Sequence, residues 1–166
     1  YQGIDIFNFA GTISNATISN NTITSSTTTG GTFGTSVGGG IRFVAFGSGG
    51  GVASITRATL DTNIINNFPG GVALQVQCGN ANSSAAPGST CGVPGSGTNV
   101  IAITNNQINK PGNVSTVKTG AEGIIALVNG VGQGNFNITG NNVQQNTGIS
   151  ISSSAFGNAN VIETIA

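Results

Sequence analysis

Eight side chains in this 166-residue chain carry a formal charge at neutral pH: Asp5, Asp61, Glu122 and Glu163, and Arg42, Arg57, Lys110 and Lys118. Glycoside hydrolysis needs two carboxyl groups flanking one bond, and general acid–base chemistry needs a positioned proton donor or acceptor. The four acids are too few and too scattered along the chain to form such a cluster. The best-placed charges, Asp5 and Arg42, fall at the same position of neighbouring repeats and read as a surface ion pair; Asp61 and Arg57 read the same way. With no histidine in the chain, Ser-His and Cys-His arrangements are excluded and the usual metal-ligand sets cannot be assembled. The glycine triplets Gly38-Gly39-Gly40 and Gly49-Gly50-Gly51 are not followed by Lys-Ser/Thr and open no helical pattern, so they read as loop rather than phosphate cradle. The expectation is a non-enzyme with no catalytic residues, no metal and no cofactor.

Cys78 and Cys91 flank a loop rich in Ser, Ala, Asn, Pro and Gly. A single pair closing such a loop reads as a disulfide formed in an oxidising compartment, which places the chain outside the cell or on its surface. Four basic residues balance four acidic ones, so there is no electrostatic footprint for nucleic acid. No apolar run approaches membrane-spanning length, and the first residues lack the regions of a signal peptide. An opening tyrosine and the lack of methionine read as a processed product or a piece of something longer.

Only 5% of residues are charged, yet 37% are apolar and regularly spaced among β-branched neighbours, so the chain has the means to bury a core. Two signatures organise it. The first is a glycine followed by an alternating strand: Gly3-Ile4-Asp5-Ile6, Gly40-Ile41-Arg42-Phe43, Gly71-Val72-Ala73-Leu74, Gly123-Ile124-Ile125-Ala126 and Gly148-Ile149-Ser150-Ile151. The second is apolar-x-x-Asn-x-apolar, at 18–23, 60–65, 103–108 and 138–143. They alternate strictly. Gly123 to Gly148 gives an uninterrupted period of 25, and the longer intervals imply insertions near 25–39, 46–54, 78–98 and 110–122. A repeat of this length cannot bury its apolar side alone and must stack on the next. Period-two alternation among Val, Ile and Thr excludes helical repeats. The fold expected is a single all-β domain over 1–166, a right-handed parallel β-helix or solenoid of about five coils stacked about 4.8 Å apart.

Asparagine suits the second signature because it tolerates the left-handed region and its amide bonds to the same position one coil away. Asn21, Asn63, Asn106 and Asn141 are expected to stack as a ladder that stabilises a turn and does no chemistry. Five sequons, headed by Asn15, Asn20, Asn82, Asn113 and Asn137, are explained largely by chance in so Asn- and Thr-rich a chain.

The repeated Gly-Ile-x-Ile followed by Ile-x-x-Asn-x-Ile resembles the right-handed parallel β-helix repeat of the pectin-lyase-like superfamily. The charge-poor Ser/Thr/Asn/Gly style resembles bacterial beta strand repeat surface proteins and autotransporter passengers. The resemblance covers nearly the whole chain and implies a fold rather than a function, since that fold carries lyases, glycosidases, tailspikes and adhesins alike. For an enzyme of the superfamily it implies clustered charged residues on outward positions of the first strand row, and these are missing here.

Following the pleat with Ile4, Ile41, Val72, Ile124 and Ile149 inward, the second outward row reads Phe7, Val44, Gln75, Leu127 and Ser152, with Ile125 beside Leu127. Large apolar groups on one face need a cover, either an inserted loop folded back or another molecule, which makes Phe7, Val44, Gln75, Ile125 and Leu127 a candidate contact face. No amphipathic cap is visible at either end, which fits a fragment of a longer solenoid or a subunit that assembles end to end. The functional expectation is a structural or adhesive module whose partner is itself or a surface glycan or protein. A polysaccharide-binding or degenerate lyase or glycosidase β-helix is the alternative. Ice binding through Thr22-Ile23-Thr24 is disfavoured because Asn66, Asn109 and Gln144 stand near the equivalent positions.

Overall fold

A computed structural model describes residues 3–25, 39–47, 51–68, 71–79, 88–109, 122–145 and 148–166. Most of the expected insertions lie outside these residues. Among the described residues every regular element is a strand, and every pairing between strands is parallel. The chain visits three sheets in turn and then returns to the first, an arrangement compatible with a parallel β-helix or a similar solenoid.

The first circuit consists of β1 (Ile4–Asn8), β2 (Gly11–Ile13), β3 (Ala16–Ser19) and β4 (Thr22–Thr24). The second is β5 (Ile41–Ala45), β6 (Ala53–Ile55), β7 (Ala58–Asp61) and β8 (Ile64–Asn66). The third is β9 (Leu74–Cys78), β10 (Thr90–Cys91), β11 (Ile101–Thr104) and β12 (Gln107–Ile108). The fourth contains β13 (Glu122–Val128), β14 (Gln133–Thr139) and β15 (Asn142–Val143), and the fifth β16 (Ile149–Ala155) and β17 (Asn160–Ile165). The first sheet runs β1-β5-β9-β13-β16; the third runs β4-β8-β12-β15. In the second, one continuous strand, β14, pairs with both β10 and β11, and with β17 on its other side, so it joins the β2-β6-β10 and β3-β7-β11 runs.

Alternation places one apolar row of each strand inside. Ile41, Leu74 and Ile124 from the first sheet, Leu60, Ile103 and Ile138 from the second, and Ile65 and Ile108 from the third are fully buried. Size is matched locally. A Cβ on Gly134 would sit 2.6 Å from the Phe136 ring, so the glycine makes room for a fully buried aromatic in its own strand.

The register corrects the pleat drawn from the glycine heads. Ile4 pairs with Ile41, Ile41 with Leu74, Leu74 with Ile124 and Ile124 with Ile151, so Val72 and Ile149 are not in that row. A shift of two residues keeps every inward side chain inward, so alternation alone cannot detect it. In three circuits the position before this row is crowded: a Cβ on Gly3, Gly40 or Gly123 would lie 2.3–2.4 Å from a γ-carbon of Ile23, Ile65 or Val143. Ala73 and Ser150, not Gly71 and Gly148, occupy that position in the third and fifth circuits.

One more strand in each of the first three circuits, β2, β6 and β10, comes from a stretch without a recognised signature. Ala53 and Ser54 of β6, and Thr90 and Cys91 of β10, belong to the second sheet although they fall within the expected insertions 46–54 and 78–98.

Candidate functional site

Asn21, Asn63, Asn106 and Asn141 form one column at the corner between the second and third sheets. Nδ2 of Asn21 donates to Oδ1 of Asn63, Nδ2 of Asn63 to Oδ1 of Asn106, and Nδ2 of Asn106 to Oδ1 of Asn141, each at 2.9 Å. The same Oδ1 atoms also accept from the backbone N–H of the preceding ladder residue. The left-handed residue of the corner is not the ladder asparagine but the one before it: Asn20, Thr62, Asn105 and Gly140 have φ of 59°, 54°, 54° and 66°. The two requirements are thus met by adjacent residues, one bending the chain and the other satisfying buried polar groups.

The outward face of the first sheet carries two rows. Asp5, Arg42, Gln75, Ile125 and Ser152 share one; Phe7, Val44, Gln77, Leu127 and Ser154 share the next. Of the expected contact residues, Phe7, Val44 and Leu127 are therefore together, while Gln75 and Ile125 lie in the row beside them. Gln75 was placed in the wrong row by the same two-residue shift. Val44 is 1% and Ile125 7% exposed although both point away from the core, so this face is well covered at those points.

Asp5 and Arg42 make a two-pronged ion pair, Nε to Oδ1 at 3.1 Å and Nη2 to Oδ2 at 2.8 Å, with about a third of each side chain exposed. The guanidinium carbon lies 4.3 Å from the centre of the Phe7 ring. Phe7 in turn stacks on Phe9 and meets Phe46, both with ring centres at 5.6 Å. Phe9 is exposed. Phe9 and Phe46 follow directly on the outward alternation of β1 and β5, a signal available from the pleat but not read there. Beside them Gln75 donates to Gln77 and Gln77 to the carbonyl of Gly79. The patch thus combines aromatic rings with planar hydrogen-bonding groups.

Arg57 and Asp61 do not pair. Arg57 donates to Oδ1 of Asn15 at 3.2 Å, while Asp61 accepts from the hydroxyls of Thr104 and Thr62 and from the amide of Asn105. Four residues along an extended strand span about 13 Å, too far for an ion pair. The Thr104 hydroxyl foremost, with Thr62 and then Asn105, holds the Asp61 carboxyl below its ordinary range. Glu122 is pushed the other way by burial. The acids occupy separate places: Asp5 and Glu122 in the first sheet, three circuits apart, and Asp61 and Glu163 in the second. Lys110 and Lys118 lie outside the described residues. Among the described residues no group of three or more His, Cys, Asp or Glu is placed to hold a metal ion, and no helix is long and apolar enough to cross a membrane.

Cys78 and Cys91 form a disulfide with Cα atoms 5.8 Å apart, joining β9 to β10 across the corner between the first and second sheets. Both are fully buried. On the third sheet, Thr22 and Thr24 are exposed but pair with Ile64 and Asn66, so the threonine row stops after one circuit. No protein-family model matches the chain, and no curated protein or solved structure matches it.

Proposed function

We propose that the chain is a right-handed parallel β-helix serving as a non-catalytic structural or adhesive module of a secreted or cell-surface protein. Right-handedness follows from the strong preference of parallel crossover connections for that hand. The observation that carries the functional reading is where the polar side chains are engaged. Asp5 reaches Arg42, Asp61 reaches Thr104, and the ladder amides reach one another, each across neighbouring circuits. Side chains used as rungs tie one circuit to the next, and Asp5 and Asp61 are engaged in this way rather than facing each other across a cleft. The disulfide supports an oxidising surrounding.

Polysaccharide binding without turnover is a second reading, favoured by the Phe7, Phe9 and Phe46 rings beside the Asp5–Arg42 pair. Assays on pectate and neutral glycans, run beside retention of the chain on immobilised glycans and negative-stain imaging, test both. Rigid rod-like particles without turnover support the structural reading. Retention lost on Phe9→Ala supports glycan binding, and product formation overturns the non-catalytic assignment.

A further inference from the structure

The disulfide sits at the weakest rung of the second sheet. Strand β10 contributes only two residues, Thr90 and Cys91, whereas β2 and β6 have three each and β14 seven; one backbone bond on either side, Gly92 N–H to the Ile55 carbonyl and Gln133 N–H to the Ser89 carbonyl, completes its hold on β6 and β14. It is flanked by two glycines, Gly88 and Gly92, which press against neighbouring backbone: a Cβ on either would lie 2.5 Å from the Val131 carbonyl oxygen or 2.7 Å from that of Asn135. Of the three residues between them, only Cys91 brings an apolar group to the core. Ser89 is 2% exposed and its hydroxyl has no hydrogen-bond partner. A buried unpaired hydroxyl opposes closure, and water satisfies it on opening. On the far side of Gly92 the chain is held independently. Nδ2 of Asn135 meets the carbonyl oxygens of Val93, Ser96 and Asn99 at 2.8, 2.9 and 3.3 Å, fixing the excursion between β10 and β11.

We propose that the Cys78–Cys91 bond is a redox latch on β10: oxidised, it closes the second sheet; reduced, residues 89–91 swing out on Gly88 and Gly92. The slot left behind exposes the facing edges of β6 and β14, while the first sheet and the β7-β11-β14 pairing stay intact. The reductant is a dithiol. Its thiolate attacks one cysteine sulfur, the S–S bond breaks, and a mixed disulfide forms. The second thiol of the reductant then displaces the other cysteine, leaving two cysteine thiols and a cyclic disulfide, with two electrons and two protons transferred. Because both sulfurs are buried, the attack waits for the same local opening that reduction then makes persistent.

Hydrogen exchange on the whole chain, with and without a dithiol reductant, tests this. Reduction is expected to speed exchange in 88–92 and along the facing edges of β6 and β14 at least about tenfold, with the amides around Asn63 and Asn106 unchanged. Ser89→Ala, which removes the unpaired hydroxyl, is expected to restore part of that protection in the reduced protein. Unchanged exchange at 88–92 in protein verified as reduced would show that β10 holds without the bond and overturn the latch. Acceleration spreading to Asn63 and Asn106 would overturn it too, since the bond would then stabilise the whole stack.

Discussion

Asn63 gives one hydrogen of its side-chain amide to Oδ1 of Asn106 and the other to the carbonyl of Ile18, each at 2.9 Å, and it is fully buried in doing so. Every hydrogen on that nitrogen is therefore used, and the amide ties three consecutive circuits together.

Replacing Asn106 by alanine removes an acceptor from Asn63 and a donor from the Leu60 carbonyl and from Asn141. Each buried polar group left unpaired costs about 1–3 kcal/mol, so the expected loss is on the order of 3 kcal/mol. The same change at half-buried Asn21, the ladder's first member, is expected to cost about 1 kcal/mol. Denaturant midpoints of the two variants check the order.

Gly40→Ala places a Cβ 2.3 Å from Cγ2 of Ile65 and 2.5 Å from the Ala73 carbonyl oxygen. Overpacking of this kind costs about 1–3 kcal/mol. A second change, Ile65→Ala, relieves the side-chain clash but not the backbone one, so it recovers less than the whole loss in a double-mutant cycle.

Arg42→Ala is expected to destabilise more than Asp5→Asn. Both lose an exposed ion pair worth about 0–1 kcal/mol, but only the arginine change also uncovers the Phe7 ring. Raising the salt concentration shrinks the Asp5→Asn effect and leaves most of the remaining Arg42→Ala effect, which thermal melts at two ionic strengths measure.

Asp61 and Glu122 pull the pH dependence in opposite directions. The Asp61 carboxyl is held below its ordinary value of 3.8, so the folded state binds protons less readily there; its stabilisation is present above 3.8 and lost as pH falls through the lowered value. Glu122 is raised above 4.5 by burial, so the folded state keeps its proton longer and stability falls as pH rises from 4.5 through the raised value. Asp61→Asn is expected to flatten the acid side of the stability profile, and Glu122→Gln the descent above 4.5. Urea titrations across pH 2–7 resolve the two limbs.

The parallel all-strand architecture was legible because inward Ile, Leu and Val recur with period two, and the ladder positions because Asn recurs at a fixed offset from two apolar residues. Register was less legible. Gly71 and Gly148 look like Gly3 and Gly40, but they stand two residues before the equivalent position, which Ala73 and Ser150 occupy, and the pairing that shows this is made by residues distant in sequence. The Arg57–Asp61 pairing failed for a similar reason, since nearness in sequence becomes separation once the chain is extended. The rings of Phe9 and Phe46 were missed because they stand just past the strands whose alternation they continue. Strands β2, β6 and β10 were hidden by their shortness; two or three residues carry too little pattern to separate them from loop.

The join between the two halves of the second sheet comes in two sizes along the stack. Ile13 to Ala16 and Ile55 to Ala58 step three residues between equivalent register positions, whereas Gly134 to Phe136 and Val161 to Glu163 step only two. The excursion 92–100, anchored on Asn135, lies at the boundary between the sizes and acts as a splice. An engineer lengthening the protein by a winding copied across that joint therefore needs Asn135 and its loop to travel as one cassette.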